Sequence, residues 1–164
     1  MPVAITWPDH YRQATVKFGI GNLREKLRRH RRPPAGSAEN AGRGEMVLVA
    51  DSDGESLERT CSVLKGGGYE PLGVTDGAEA LAVFSDCSDR IRAILTDAVL
   101  PTLSGIDLAK VIRRMRPGAR IMAAGIALES KFDELREIGV TSFVPKPCKA
   151  GELLSGLRRL LDRS

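Results

Sequence analysis

Short apolar runs alternate with amphipathic stretches from about position 45 onward. Met46–Ala50 is wholly apolar and bounded by charge, as a strand buried on both faces would be. Glu55–Lys65 sets Leu57, Cys61 and Leu64 at helical spacing, and Gly66-Gly67-Gly68 follows with the left-handed freedom that helix C-termini favour. Tyr69–Val74 reads as a second strand. Thr75/Asp76 opens the next helix, with Glu79 three residues after Asp76 in the manner of a capping box. Ile91–Thr96 is a third strand, and Ser104 with Asp107 opens a helix to about Met115. Arg120–Ala124 is a fourth strand, followed by a helix over Ser130–Ile138 in which Ser130 and Asp133 repeat the capping spacing. Thr141–Val144 completes the strands, and Lys149–Leu161 is a last helix with Leu153, Leu157, Leu160 and Leu161 inward. Five strands alternating with five helices through short loops predict an α/β domain with a doubly wound, five-stranded parallel sheet.

The first 45 residues break this pattern. PPAGSAENAGRGE at 33–45 has no apolar periodicity and reads as a flexible linker. NLREKLRRHRR at 22–32 has the makings of a short basic helix, with Leu23 and Leu27 at i, i+4. Two leucines are too few to hold so short a helix in isolation. The expected division is therefore a basic extension and linker over 1–45 and a folded domain over 46–162.

Charge divides along the same line. Residues 1–45 hold nine Lys/Arg against four acids, whereas the rest of the 164-residue chain holds 16 bases against 17 acids. The domain itself is close to neutral. A basic run such as Arg28–Arg32 without interleaved aromatics reads as a solvated tail, and nucleic acid is not an expected partner. No apolar run approaches the roughly 20 residues of a membrane span, and no secretory leader pattern opens the chain. Cys61, Cys87 and Cys148 form no CxxC pair, which argues against a disulfide or zinc framework and suits the reducing cytoplasm. Cys61 and Cys87 read as small semi-buried residues, while Cys148 has a slender case for redox sensitivity.

Three phrases place chemistry on one edge of the sheet: VLVADSDG at 47–54, AILTDAVLP at 93–101, and Lys146-Pro147. Each follows a strand, and in a parallel sheet the strand ends share one edge, where ligands gather. Asp51, Asp97 and Lys146 should converge there. Two carboxylates and a lysine suit a divalent cation and a phosphoryl group.

The ordered set of an acidic cluster after the first strand, LTDAVLPTLSG after the third and Lys-Pro after the fifth resembles the receiver domain of bacterial response regulators. GYEPLGVTDGAEALAVF is similar to that family's second strand and helix. The resemblance covers roughly 46–162 and implies the flavodoxin-like form of the predicted fold. It further implies that Asp97 accepts a phosphoryl group as a nucleophile and that Lys146 pairs with the phosphoryl oxygens. Mg²⁺ would be held by Asp51, Asp97 and the backbone carbonyl of Val99, with Asp53 an open candidate. Lys146-Pro147 would be cis. A sensor histidine kinase or phosphotransfer protein would be the donor, with other regulators meeting the face formed by the fourth helix, fifth strand and fifth helix.

Two positions depart from the family. It pairs acids after the first strand and uses the second as a direct metal ligand, but here that position is Ser52, which predicts weaker Mg²⁺ binding. At the end of the fourth strand it has a Thr or Ser that bonds the phosphoryl group and moves with a downstream aromatic. Counting back from Lys146 puts Ala124 there, while the aromatic is kept as Phe143. The chain ends at Ser164 after the last helix, so the expectation is a single-domain, non-enzymatic regulator acting by protein contact. A phosphorylation-independent receiver-like scaffold is the alternative.

Plainer and rival readings stand beside these. Asp51 and Asp53 are good helix caps, and Lys146 could be a solvated loop lysine. ADSDG also resembles the opening motif of haloacid-dehalogenase-type phosphatases, with Asp51 as nucleophile, Asp53 as acid/base, and Thr96 and Lys146 in later motifs. Against this, Glu55 replaces the usual Thr and no late acidic pair follows. A third reading makes residues 22–32 an adaptor for nucleic acid or another anionic surface.

Overall fold

The computed structural model describes residues 40–126 and 128–163. The basic stretch 22–32 and the linker as far as residue 39 lie outside them. Five strands, β1 (Met46–Ala50), β2 (Glu70–Val74), β3 (Ile91–Asp97), β4 (Ile121–Gly125) and β5 (Ser142–Pro145), form one parallel sheet in the order β2-β1-β3-β4-β5. Between and after them run α1 (Gly54–Gly66), α2 (Gly77–Cys87), α3 (Gly105–Met115), α4 (Phe132–Glu137) and α5 (Ala150–Asp162).

Alternate residues of each strand face opposite layers, as the two-residue period of a strand requires. Leu48, Leu72, Ile94 and Ile121 pack with Phe84, Leu108 and Ile112 of α2 and α3. Val47, Val49, Ala93, Leu95, Met122, Ala124 and Val144 pack with Leu64 of α1 and Leu153, Leu157 and Leu160 of α5.

The predicted caps form at two of three helices. Asp76 accepts from the amides of Ala78 and Glu79, and Ser104 accepts from the amide of Asp107. At the third, the expected Ser130 start is displaced. A 3-10 turn over Leu128–Lys131 comes first, and α4 begins at Phe132 with Lys131 at its N-cap and no side-chain cap bond. The tighter turn delays the α-helix by two residues and leaves it only six residues long.

Residues 40–45, the only described part of the extension, are fastened to the domain. The amides of Gly42 and Gly44 donate to the carbonyls of Gly67 and Gly68, and the Tyr69 hydroxyl donates to the carbonyl of Asn40. A Cβ on Gly42 would meet the backbone of Gly68 at 2.6 Å, so the two segments pass closer than any other residue type allows. Arg158, only 6% exposed, ties Glu45 at 2.7 Å and also Asp162. Burial alone would raise the Glu45 carboxyl, but its bonds to Arg158 and to the amide of Arg43 outweigh this and hold it below its usual range.

Candidate functional site

The C-terminal edge of the sheet brings the three expected groups together. Asp97 is the last residue of β3, Asp51 follows β1 and Lys146 follows β5. The Lys146 ammonium donates to Asp51 Oδ2 at 2.6 Å and to Asp97 Oδ2 at 2.9 Å, bridging two carboxylates 46 positions apart in sequence. Lys146 is therefore not a free loop lysine. Burial opposes its charge, but the bonds to Asp51 and Asp97 outweigh it and the net effect raises its pKa. Asp51 moves the other way. Burial would raise its carboxyl, while Lys146, Ser56 and the amide of Asp53 together pull it below its ordinary value.

Asp51 is wholly engaged with protein groups. Its Oδ2 accepts from Lys146 and from the Ser56 hydroxyl at 2.6 Å, and its Oδ1 accepts from the amide of Asp53 at 3.0 Å. Asp53 does what the plainer reading gave it: one carboxylate oxygen accepts from the amides of Glu55 and Ser56 and caps α1. That occupation leaves it poorly placed as the acid/base of a phosphatase. Ser52 is exposed and adds no charge.

Asp97 Oδ1 accepts from the amide of Val99 at 3.2 Å, the turn that aims the carboxylate out of the strand. Gly105 seats α3 beneath it. A Cβ there would lie 1.7 Å from the Asp97 carbonyl oxygen, so only glycine lets the helix start this close to β3. Lys146-Pro147 is cis, as expected.

Ala124 and Phe143, the two positions the resemblance singled out at the end of β4 and in β5, sit on opposite layers. Ala124 pairs with Asp97 across β3 and β4 and packs on the α1/α5 side. Phe143 packs on the other side, its ring 4.5 Å from that of Phe132 in α4, with the Arg136 guanidinium 5.7 Å from the Phe132 ring centre. Ala124 brings no hydroxyl beside Asp97.

Asp51, Asp97 and Lys146 themselves line a cavity of about 580 Å³ that reaches down between α1 and α5. Val49, Leu95, Ala124 and Val144 form its floor, and Ser56, Thr60 and Val63 of α1 face Ala150 and Leu153 of α5 across it. The helical pattern drew attention to Leu57, Cys61 and Leu64, and so missed Ser56 and Thr60, whose polarity reads as solvent-facing. The one sequence signal was that they lie at helical spacing with Val63. Cys148 also lines the cavity, and burial pushes its thiol up, which disfavours a reactive thiolate. Cys61 is half-buried and Cys87 buried, both as free thiols.

For a divalent cation the donor chemistry fits in kind: two carboxylates and the Val99 carbonyl are hard oxygen ligands at one strand edge. They fit less well in number, because Ser52 leaves two carboxylates where the family supplies three, and Lys146 already bridges both. No helix among the described residues is long and apolar enough to cross a membrane.

A family model described as the response regulator receiver domain matches residues 47–158. The sensory transduction protein RegX3 of Mycobacterium tuberculosis is 33% identical over 119 residues, 71% of this chain and 51% of RegX3. The transcriptional regulatory protein CpxR of Klebsiella pneumoniae is 32% identical over 120 residues, 72% of this chain and 50% of CpxR. The chain thus spans about half the length of these relatives. Among solved structures, the chemotaxis response regulator CheY4 of Vibrio cholerae superposes with a TM-score of 0.66 at 26% identity, covering 72% of this chain and 99% of CheY4. A response regulator from Chloroflexus aurantiacus gives a TM-score of 0.68 at 26% identity, covering 73% and 99%.

Proposed function

This chain belongs to the response regulator receiver family, and from that premise we propose that it takes a phosphoryl group on Asp97. Receiver domains are signalling modules of two-component systems rather than enzymes in the ordinary sense. The donor here would be a sensor histidine kinase, a phosphotransfer protein or a small phosphodonor in the cytoplasm. One observation supports the assignment above the others. Lys146 reaches both Asp51 and Asp97 at the C-terminal edge of the sheet, so a nucleophile, a cation and a second carboxylate share one point.

In the proposed reaction an Asp97 carboxylate oxygen attacks the donor phosphorus. The O–P bond forms as the P–N bond of a phosphohistidine breaks, and the imidazole leaves with the bond electrons. Lys146 then turns from the Asp97 carboxylate to the phosphoryl oxygens that Asp97 now bears. Asp51, fixed by Ser56 and the Asp53 amide, holds the ammonium in place through the change. Mg²⁺ would sit among Asp51, Asp97 and the Val99 carbonyl and neutralise negative charge on the phosphoryl group. We expect its affinity to be low because Ser52 supplies no carboxylate. With alanine at position 124, the phosphoryl group would lack the hydroxyl that couples it to the aromatic. Readout would rest on contacts at α4, β5 and α5, where Phe132 and Phe143 already pack together.

The decisive test is exposure to acetyl phosphate or phosphoramidate with and without Mg²⁺, followed by intact-mass measurement of the natural chain and Asp97→Ala. A Mg²⁺-dependent gain of one phosphoryl group, absent from the variant, is the expected result. No gain under any condition would leave a receiver fold that binds partners without phosphate.

A further inference from the structure

We propose that the N-terminal edge of the sheet, at the opposite end from Asp97, is a binding surface for the phosphate backbone of a nucleic-acid duplex. Seven arginines gather where β3, β4 and β5 begin. Arg90 stands just before β3 and Arg92 within it. Arg113, Arg114, Arg116 and Arg120 occupy the passage from the end of α3 into β4, and Arg163 follows α5. Hydrogen bonds tie them into one neighbourhood. Arg116 donates to the carbonyls of Ser88 and Ile91 at 2.5 and 3.0 Å, and Arg113 to those of Pro117 and Gly139 at 2.6 and 2.7 Å. Arg120 donates to the carbonyl of Arg163 at 3.1 Å, and Arg163 to the Thr141 hydroxyl at 3.0 Å.

Every one of these acceptors is neutral. Among the described residues no carboxylate pairs with any of the seven arginines. The loops that carry them hold a single acid, Asp89, with Asp86 and Glu137 on the adjoining helix ends. Asp162, the other acid nearby, is taken up by Arg158 at 2.7 Å. Seven bases against those three free acids leave an excess of four positive charges. The domain as a whole is close to neutral, so its positive charge is concentrated at this edge.

The arrangement suits phosphates more than any other anionic partner. Neighbouring strands lie about 4.8 Å apart, so the starts of β3 to β5 set arginines along roughly 10 Å. Arg92 is the residue that β1 passes over at a bulge, Met46 pairing with Ile91 and Val47 with Ala93, and its side chain is exposed. Arg90, Arg114 and Arg163 are exposed as well. Arg113, Arg116 and Arg120 are already held in place by main-chain carbonyls. A guanidinium has five N–H donors, so each keeps some to offer a phosphate at little cost in ordering. The large exposed apolar side chains, Val99 and Ile126, follow β3 and β4 at the other edge. The arginine edge therefore lacks the apolar centre of a protein interface and the apolar anchor of a membrane-surface element. No aromatic ring among the described residues is exposed to stack on unpaired bases, which favours a duplex read by its backbone. This surface belongs to the folded domain and is separate from the basic run at 28–32.

Fluorescence anisotropy of a labelled mixed-sequence DNA duplex of about two helical turns tests the surface, with the full chain throughout. With about four phosphates engaged, affinity should fall on the order of a hundredfold between about 50 and 200 mM salt. Arg90→Gln/Arg92→Gln/Arg114→Gln changes three exposed arginines that make no hydrogen bond within the described residues, so it should keep the natural melting temperature. It should weaken duplex binding at least tenfold and flatten the salt dependence. Arg28→Gln/Arg29→Gln/Arg31→Gln/Arg32→Gln should cost less than the domain variant, and Asp97→Ala should bind as the natural chain does. Absence of binding at low salt overturns the proposal, as does a larger loss from the tail variant than from the domain variant. A loss on Asp97→Ala overturns it too, because binding would then belong to the opposite edge. So does arginine-dependent binding to anionic phosphatidylglycerol vesicles without binding to the duplex, which would make the partner a membrane surface.

Discussion

On one face of the sheet α2 buries seven of its eleven residues and α3 five, and the layer is closed. On the other face α1 buries Leu64 alone, and the space it leaves against α5 is the cavity beside Asp97. Both faces start from the same strands, whose alternate residues are apolar on either side. The difference arises in the helices. α2 presents Ala80, Leu81, Val83, Phe84 and Cys87 inward, whereas α1 turns Ser56 and Thr60 toward the gap. One layer is built for stability, and the other keeps open the side from which Asp97 and Lys146 are approached.

Truncation should expose this asymmetry most strongly. Phe84→Ala on the closed face should cost about 3–5 kcal/mol, while Leu153→Ala, already beside open space, should cost nearer 2 kcal/mol. Urea denaturation measures both, and equal losses would mean the cavity closes in solution.

Enlarging a side chain should then have opposite signs on the two faces. Ala109→Leu, in fully packed surroundings, should destabilise by about 1–3 kcal/mol. Thr60→Leu should stabilise by up to about 1 kcal/mol by filling space that is already there. Destabilisation by both would show that the groove has no room for apolar bulk.

Ala124→Thr adds a hydroxyl on the open face beside Asp97. One extra hydrogen bond to the phosphoryl group, about 1 kcal/mol, should raise phosphorylated occupancy about fivefold at limiting phosphodonor, as read by intact mass. The same change at Ala123 faces the closed layer. It should lower stability without altering phosphorylation.

The smallest effect concerns the strap at the base of the α1/α5 layer. Burial would raise the Glu45 carboxyl, but its bonds to Arg158 and the Arg43 amide hold it below its ordinary value, so its pairing contributes fully above the unfolded value and is lost as pH falls through the lower folded value. Acid unfolding below the ordinary carboxylate range should therefore be slightly less steep in Glu45→Gln than in the natural chain, by less than about 1 kcal/mol. Identical acid profiles would mean that the Glu45–Arg158 contact is not maintained in solution.

How much of this was legible in the sequence depended on distance along the chain. The strands β1 to β5 were found to within a residue because a short apolar run bounded by polar or turn residues is a local signal. Asp76 and Ser104 announced their helices because a cap and its amides lie within one turn. α4 was placed too early because Ser130 and Asp133 have capping spacing, yet the backbone there takes a 3-10 turn that side-chain pattern does not encode. Nothing local marked Arg158, because its partner Glu45 lies 113 positions away.

Sequence alone determined that Asp51, Asp97 and Lys146 would share an edge, since parallel strands put all their C-terminal ends on one side. It also determined the two losses, because no packing restores a carboxylate to Ser52 or a hydroxyl to Ala124. Only the tertiary structure decided that Lys146 bridges both acids, that Asp53 serves α1 as its cap, and that Phe143 and Ala124 lie on opposite layers. It alone revealed the opening between α1 and α5. A cavity is a property of what two helices fail to fill between them, and neither helix records the other's side chains in its own sequence.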